Sequence, residues 1–592
     1  MTADICPGSG KPIDDDQQQQ QPIRRPSHHG KSSSLISESR ASVILQVAAE
    51  SLQEADDSES PALHQIGEEF LVLLRYAVPI IGTHLLENTL MMVSMIWVGQ
   101  LGTKEMAAMS LANMTLNCTS LSVIVGFASA LEGMCSQAYT SGTRGASGST
   151  LAAVRTMVIL GMWMVPQALF LWNIHPIFLR LHVHPPLAAM AAQALRILLF
   201  ALPGYALFET SRRWLQAQAI TSIPTIILLV VSPLNALLSY LLIIDGPFNL
   251  GFLGAPIVTV FSFNLTGLSS LVYCIRIAAR QGRPSWLDDG SGEIWTNLGP
   301  NFWAGLAGFV SLASEWWFWE FIGFAASYLG PSTLAAQSII GTPIISLTIT
   351  TCAKVMYQLS GGASLGAAAR CGNLVGAGRM RRATHAGWAA LGTGILFGSL
   401  SMLLMLLFQR PLARLFSPHD HKVVLLVLKV LPTVALVQIP DSIGSTLAGV
   451  IRGAGKPKVS AVINGLGYYV VGLPMGLALS FSHPRLGLVS THSPPPLHQH
   501  VEDLTCMVLC SHLYMYLYTQ VGLWIGMLGA VAHTALASFY YVFSVLLPGL
   551  NNHPSERPPS LLPSPIASMS SSISATPHAD RNLGSCYGTI YP

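Results

Sequence analysis

Between about residues 70 and 547 the sequence is a succession of apolar segments, each near or above the roughly 20 residues an α-helix needs to cross the hydrocarbon layer. They fall at 70–99, 104–136, 149–173, 187–215, 220–244, 252–279, 301–329, 332–366, 384–408, 421–451, 459–482 and 520–547. Backbone groups in lipid must find their hydrogen bonds within the chain, which favours helices here. The expected fold class is therefore an all-α membrane protein with twelve transmembrane helices, several of them long enough to tilt or to project into water. Composition closes off other classes. Charged residues make up 10% of the chain, against about 25% in soluble domains, and the formal net charge is only +3. That is too little charge to coat several soluble cores, and no basic stripe for a nucleic acid. The nine Cys lack paired spacing, so neither a disulfide framework nor a zinc site is expected.

Residues 1–68 are polar, with a glutamine run from Gln17 to Gln21 and a serine cluster from Ser32 to Ser34. Residues 549–592 are rich in Pro and Ser. Both stretches read as disordered tails, and no cleavable signal peptide is expected. Loops after even-numbered segments carry Arg144, Arg212, Arg213, Arg276, Arg280, Arg283, Arg379, Arg381, Arg382, Arg452, Lys456 and Lys458. Loops after odd-numbered segments carry Lys104, Arg180, Arg410, Arg414, Lys422 and Arg485. The positive-inside rule then places both termini in the cytosol, and the expected location is multi-pass in the plasma or the vacuolar membrane. Sequon matches at Asn113, Asn117 and Asn264 fall within predicted helices and are read as chance.

An internal repeat organises the chain. Leu101-Gly102 and the following Met106-Ala107-Ala108-Met109-Ser110 recur as Leu329-Gly330 and Leu334-Ala335-Ala336-Gln337-Ser338, an offset of 228. Cys135 to Gly142 aligns with Cys371 to Gly378 at an offset of 236, and Gly251 to Gly254 with Gly522 to Gly526 at about 271. The changes in offset place about eight extra residues near 348–356, interrupting helix eight, and about 35 more around 483–519. Each six-helix half has an even number of crossings, so the lobes share an orientation and are related by a pseudo-two-fold along the membrane normal. The expected domains are a tail at 1–68, a first lobe at 69–281, a linker at 282–300, a second lobe at 301–548 and a tail at 549–592. The stretch 483–519 holds His492, His498, His500, Cys506 and Cys510, yet reads as a loop insertion or translated intron rather than a metal site.

A carboxylate in the hydrocarbon costs about 2.5–3.5 kcal/mol on insertion scales. Glu87, Glu132, Glu209, Glu315, Glu320 and Asp441 fall inside predicted helices. Burial favours the neutral form of a carboxyl group, so a proton and a cation can exchange places on it. Glu315 and Glu320 flank three tryptophans, Trp316, Trp317 and Trp319, whose faces suit an organic cation or aromatic solute. At roughly 100° per residue the two acids lie about 140° apart, so that one can face a cavity while the other braces a neighbouring helix. Asp441 follows Pro440 and either lines a cavity at a break in the helix or caps the segment after it. Glu87 begins a polar stripe with Ser94. Glu209 has Arg212 and Arg213 at ion-pair spacing, and with Glu132 it reads as structural. Arg452, before Gly453-Ala454-Gly455, reads as a helix end and cytosolic anchor. No nucleotide-binding context accompanies these glycines, so transport would run on an ion gradient.

These landmarks resemble the eukaryotic branch of the multidrug and toxic compound extrusion (MATE) family of the MOP superfamily. The matching stretches are Val98 to Gly102, Ala130 to Tyr139, Leu215 to Gln218, Glu315 to Glu320, Gly372 to Gly378 and Gly449 to Gly453. The resemblance runs from about 69 to 547 outside the two insertions. It implies two six-helix lobes around a central cavity, with proton or sodium exchanged for an organic solute and no bound cofactor. It also implies essential acids in helices seven and ten, which carries over to Glu315, Glu320 and Asp441. Prokaryotic members place an Asp on helix one where this chain has Ser94, so the resemblance favours a second-lobe proton site. Asn235 matches a frequent family asparagine and is expected to be a secondary polar contact. The expected protein is a monomeric, non-enzymatic xenobiotic antiporter in which Glu315, Glu320, Asp441, Glu87, Trp316 and Asn235 bind solute or proton. Two readings stay open beside it: a flippase for lipid-linked head groups, which would need a basic cavity, and a non-transporting product disabled by its insertions. A membrane hydrolase would need a nucleophile–base pair that the helices lack.

Overall fold

A computed structural model describes residues 61–141, 145–244, 250–280, 294–296, 298–328, 341–411, 421–481 and 522–552. Residues 1–60 and 553–592 of the expected tails, most of the inter-lobe linker and the 483–519 insertion, with its His and Cys residues, lie outside these, whereas 62–68 and 549–552, expected as tail, are helical. Every regular element described is helical. The long helices are α1 (Ala62–Leu101), α2 (Thr103–Thr140), α3 (Gly145–Trp172), α4 (Pro185–Ala217), α5 (Ser222–Ile243) and α6 (Gly254–Arg280). They continue as α7 (Leu298–Tyr328), α8 (Gly341–Gly376), α9 (Met380–Leu407), α10 (His421–Gly453), α11 (Pro457–Ser480) and α12 (Gly522–Leu550). Among the described residues ten of these segments are long and apolar enough to cross a membrane; α7 and α8, of 31 and 36 residues, are long enough but richer in polar and Trp side chains.

Large apolar side chains such as Val165, Leu169, Val230, Leu403 and Leu536 stay exposed on the outer faces, as a lipid-facing surface requires. Between helices, where lipid offers no hydrophobic drive, small residues let backbones approach. Gly449 and Gly453 of α10 seat against the carbonyls of Ser364 and Ala368 on α8, so these two helices pack closely.

The repeat is a structural two-fold. Gly126 of α2 packs on the backbone of Phe309 in α7, and Gly362 of α8 packs on that of Ile81 in α1. The offset of 236 carries Gly126 to Gly362, and the offset of 228 carries Ile81 to Phe309. The two contacts are thus one contact made twice. The first turns of α1 accordingly pack on the second lobe, where Leu73 and Ala77 meet Cys371 and Ala363. Its later turns, with Leu90 and Val98, enter the first-lobe core. Helix α7 does the reverse, from Phe309 and Leu312 in the first lobe to Phe318 and Trp319 in the second. Helix ends obey the same rule: α2 and α8 stop at Thr140 and Gly376, α4 and α10 at Ala217 and Gly453, each 236 apart.

Three expectations are corrected. Residues 348–356 do not interrupt α8, which runs unbroken from Gly341 to Gly376, because a surplus inside a helix is absorbed as about two extra turns. Pro440 does not end α10, so Asp441 is an interior residue and not a cap. Arg212, Arg213 and Arg452 are not loop residues: they lie within α4 and α10, with Arg212 and Arg213 buried. Removing them from the loop count leaves the positive excess on the same side.

Candidate functional site

Faces of eight helices, α1, α2, α4, α7, α8, α10, α11 and α12, converge on a cavity of about 260 Å³ between the lobes. The helical period selects those faces. From α10 come Asp441, Gly444, Ser445, Ala448 and Arg452, and from α7 Gly308, Ser311, Leu312, Glu315 and Trp319. Helix α1 presents His84, Glu87, Asn88 and Met91, while α8 presents Tyr357, Gly361 and Ser364. In α2 the wider turn Asn117–Leu121 brings both Asn117 and Cys118 to the wall.

The acids divide into two groups. On the first-lobe side charges alternate in a chain. Arg212 Nη1 lies 2.7 Å from Glu87 Oε2, and the Tyr205 hydroxyl donates to Glu87 Oε1 at 3.0 Å. Arg212 also pairs with Glu209, which Arg213 meets at 3.5 Å. Arg213 then faces Glu132 at 3.7 Å, and Arg452 of the second lobe closes the chain on Glu132 Oε2 at 2.9 Å. Three acids and three arginines balance. On the second-lobe side Glu315 and Asp441 are 8% and 5% exposed, and no basic side chain among the described residues stands within ion-pair distance of either. Glu315 Oε1 has no hydrogen-bond partner, and the Tyr357 ring sets its hydroxyl against the same carboxyl. Glu315 and Asp441 face the same cavity, where two ionised carboxylates repel one another.

Aromatic faces complete that half. Trp316, Trp319, Tyr357 and Tyr468 line it; Phe318 packs on Tyr468 at 5.4 Å and Trp319 on Trp524 at 5.5 Å. Trp317 instead points outward, 44% exposed, and donates its indole N–H to the Cys118 carbonyl at 2.9 Å. Carboxylates set among aromatic faces, with no basic partner among the described residues, are chemistry that suits a cation.

Of the residues singled out in the sequence, Glu315, Glu320, Asp441, Glu87 and Trp316 line this cavity. Glu315 and Glu320 both do so, because the cavity wall spans more than one face of α7. Asn235 does not: it is buried between α5 and α6, donating to Ser262 Oγ at 2.8 Å. Ser94 is likewise buried against Ser239 at 3.2 Å. Sequence reasoning missed His84, Tyr205, Tyr357 and Tyr468, and it took Arg452 for an anchor. The repeat held a usable signal, since the offset of 228 carries Glu87 to Glu315 and that of 236 carries Tyr205 to Asp441.

Two helical lobes enclosing such a site define a membrane transporter. The MatE family profile matches residues 79–241 and 308–477, one stretch in each lobe. An uncharacterized transporter of Schizosaccharomyces pombe is 32% identical, over 70% of this chain and 74% of its own. Human multidrug and toxin extrusion protein 1 is 30% identical, over 73% of each. The crystal structure of the eukaryotic MATE transporter AtDTX14 superposes with a TM-score of 0.70 at 21% identity, covering 83% of this chain and 99% of that one. The chain belongs to the MatE family, whose two-lobed transporter fold it shares.

Proposed function

We propose that the protein is a secondary active antiporter that exports cationic or aromatic organic solutes in exchange for protons. The observation that carries this reading is that Glu315 and Asp441 share a cavity wall with Trp316 and Tyr357 and have no basic partner there among the described residues. Ionised, the pair holds the cation; protonated, it loses its hold and the solute leaves. Since one positive charge replaces another on the same carboxylates, the ion gradient sets the direction of transport. Relatives named multidrug and toxin extrusion protein 1 support a solute of this class. With both termini cytosolic, the lobe ends joined at Thr140, Asn373 and Gly453 are the cytosolic ones. Glu320 and Trp316 extend the solute wall, and Glu87 serves as a compensated charge on the opposite side.

A head-group flippase would need free basic groups, and Arg212, Arg213 and Arg452 are each matched by a carboxylate. The unbroken α8 supports a product that transports. The test is efflux of an aromatic cation from vesicles under an imposed proton gradient. Glu315→Gln should lower the rate at least tenfold with insertion intact, and a sodium gradient should not substitute. Unchanged transport in that variant would overturn the assignment.

A further inference from the structure

We propose that Arg452 is a positioning residue that couples the second-lobe acids to the separation of the lobes. Arg452 lies eleven residues after Asp441 on α10, roughly 20° around the helix and about 16 Å along it, so both face the cavity. Its guanidinium forks between the lobes. Nε meets Glu132 Oε2 of the first lobe at 2.9 Å, while Nη2 donates to Ser364 Oγ of the second at 3.0 Å. The Ser364 hydroxyl in turn donates to the Ser445 carbonyl at 2.5 Å, so the second-lobe arm of the fork is fixed. Ser364 lies seven residues beyond Tyr357 on one face of α8, and Tyr357 faces Glu315. Glu315 and Arg452 face the same cavity, so their opposite charges act on one another across it.

The fork sits at a close backbone contact between the lobes. Gly133 packs on the Arg452 carbonyl, and Gln137 Nε2 donates to the Gly453 carbonyl at 2.7 Å. Parting the lobes here strips Glu132, 5% exposed, of its second-lobe partner. A breakable polar contact of this kind is what a switching interface requires. The repeat makes the device one-sided, because the position equivalent to Arg452 in the first half, 236 residues earlier, is the uncharged Gln216. Neutralising Glu315, by cation or proton, then changes the pull on Arg452 and with it the hold on Glu132.

This inference rests on the antiport reading for its purpose, but its test does not need transport. Cysteines at Thr140 and Asn373, whose side chain and carbonyl meet across the lobes at 2.9 Å, report closure by cross-linking in a background without native cysteines. A double-mutant cycle combines Glu315→Gln with Arg452→Gln, and each protein is first checked for a monodisperse profile in detergent. Coupling predicts that Glu315→Gln shifts the cross-linking rate by roughly threefold with Arg452 present and by less than about 1.5-fold in the Arg452→Gln background. Arg452→Lys, which keeps the charge but not the fork, should restore part of the response. Additive effects would overturn the proposal whatever the transport assay shows. Unchanged efflux in Glu315→Gln, with the cycle still coupled, would overturn the antiport reading alone.

Discussion

Glu87 and Glu315 stand at the same position of the two halves, 228 residues apart, and Arg212 holds only the first of them. Their neighbours correspond as well. Tyr205, which bonds Glu87, is matched by Asp441, which lines the same cavity as Glu315. Arg212 is matched by Ala448 at the same offset of 236. A duplicated acid site has thus become a neutralised one in the first lobe and an uncompensated one in the second, through a difference of an arginine against an alanine.

Installing the missing arginine should silence the second lobe. Ala448 lines the cavity on the same face of α10 as Asp441, two turns away. Ala448→Arg should pair with the acids and lower proton-driven efflux by roughly tenfold or more, since charge-assisted bonds to carboxylates are strong. Ala448→Met, with similar reach and no charge, should retain much more activity. Efflux rates of the two variants in the same vesicles check this.

The two glutamates should fail in opposite ways. Removing one partner of a buried ion pair costs about 3–5 kcal/mol, so Arg212→Gln, which strands Glu87 and Glu209, should lower the unfolding temperature in detergent markedly. Glu315 has no ion-pair partner among the described residues, so Glu315→Gln should leave that temperature nearly unchanged while abolishing transport. Thermal unfolding and efflux measured on both variants give the comparison.

The tryptophans should separate by direction. A ring facing a bound cation is worth about 0.5–2 kcal/mol, so Trp316→Ala should raise KM for an aromatic cation by roughly two- to thirtyfold. Trp317→Ala removes an outward ring and its bond to the Cys118 carbonyl, and should leave KM within about twofold. Concentration dependence of uptake into inverted vesicles distinguishes them.

The two-fold predicts matched defects at the paired glycines. A side chain at Gly126 runs into Phe309, and one at Gly362 runs into Ile81. Gly126→Val and Gly362→Val should each destabilise by about 1–3 kcal/mol through overpacking, and by similar amounts. Thermal unfolding reads both.

Much of this was legible in the chain alone, for a definite reason. Lipid tolerates only backbone that bonds to itself, so apolar length announces each helix. It also penalises every charge, so Glu315 and Asp441 stand out within their segments. The duplication showed in paired motifs because both halves solve the same packing problem. What lay beyond the sequence was which acids are answered. Arg212 reaches Glu87 from 125 residues away and Arg452 reaches Glu132 across 320, and no local pattern encodes such partners. Compensation is a property of helices brought face to face, so only the tertiary structure decides that the first-lobe acids are paired with arginines while Glu315 and Asp441 meet no such partner among the described residues.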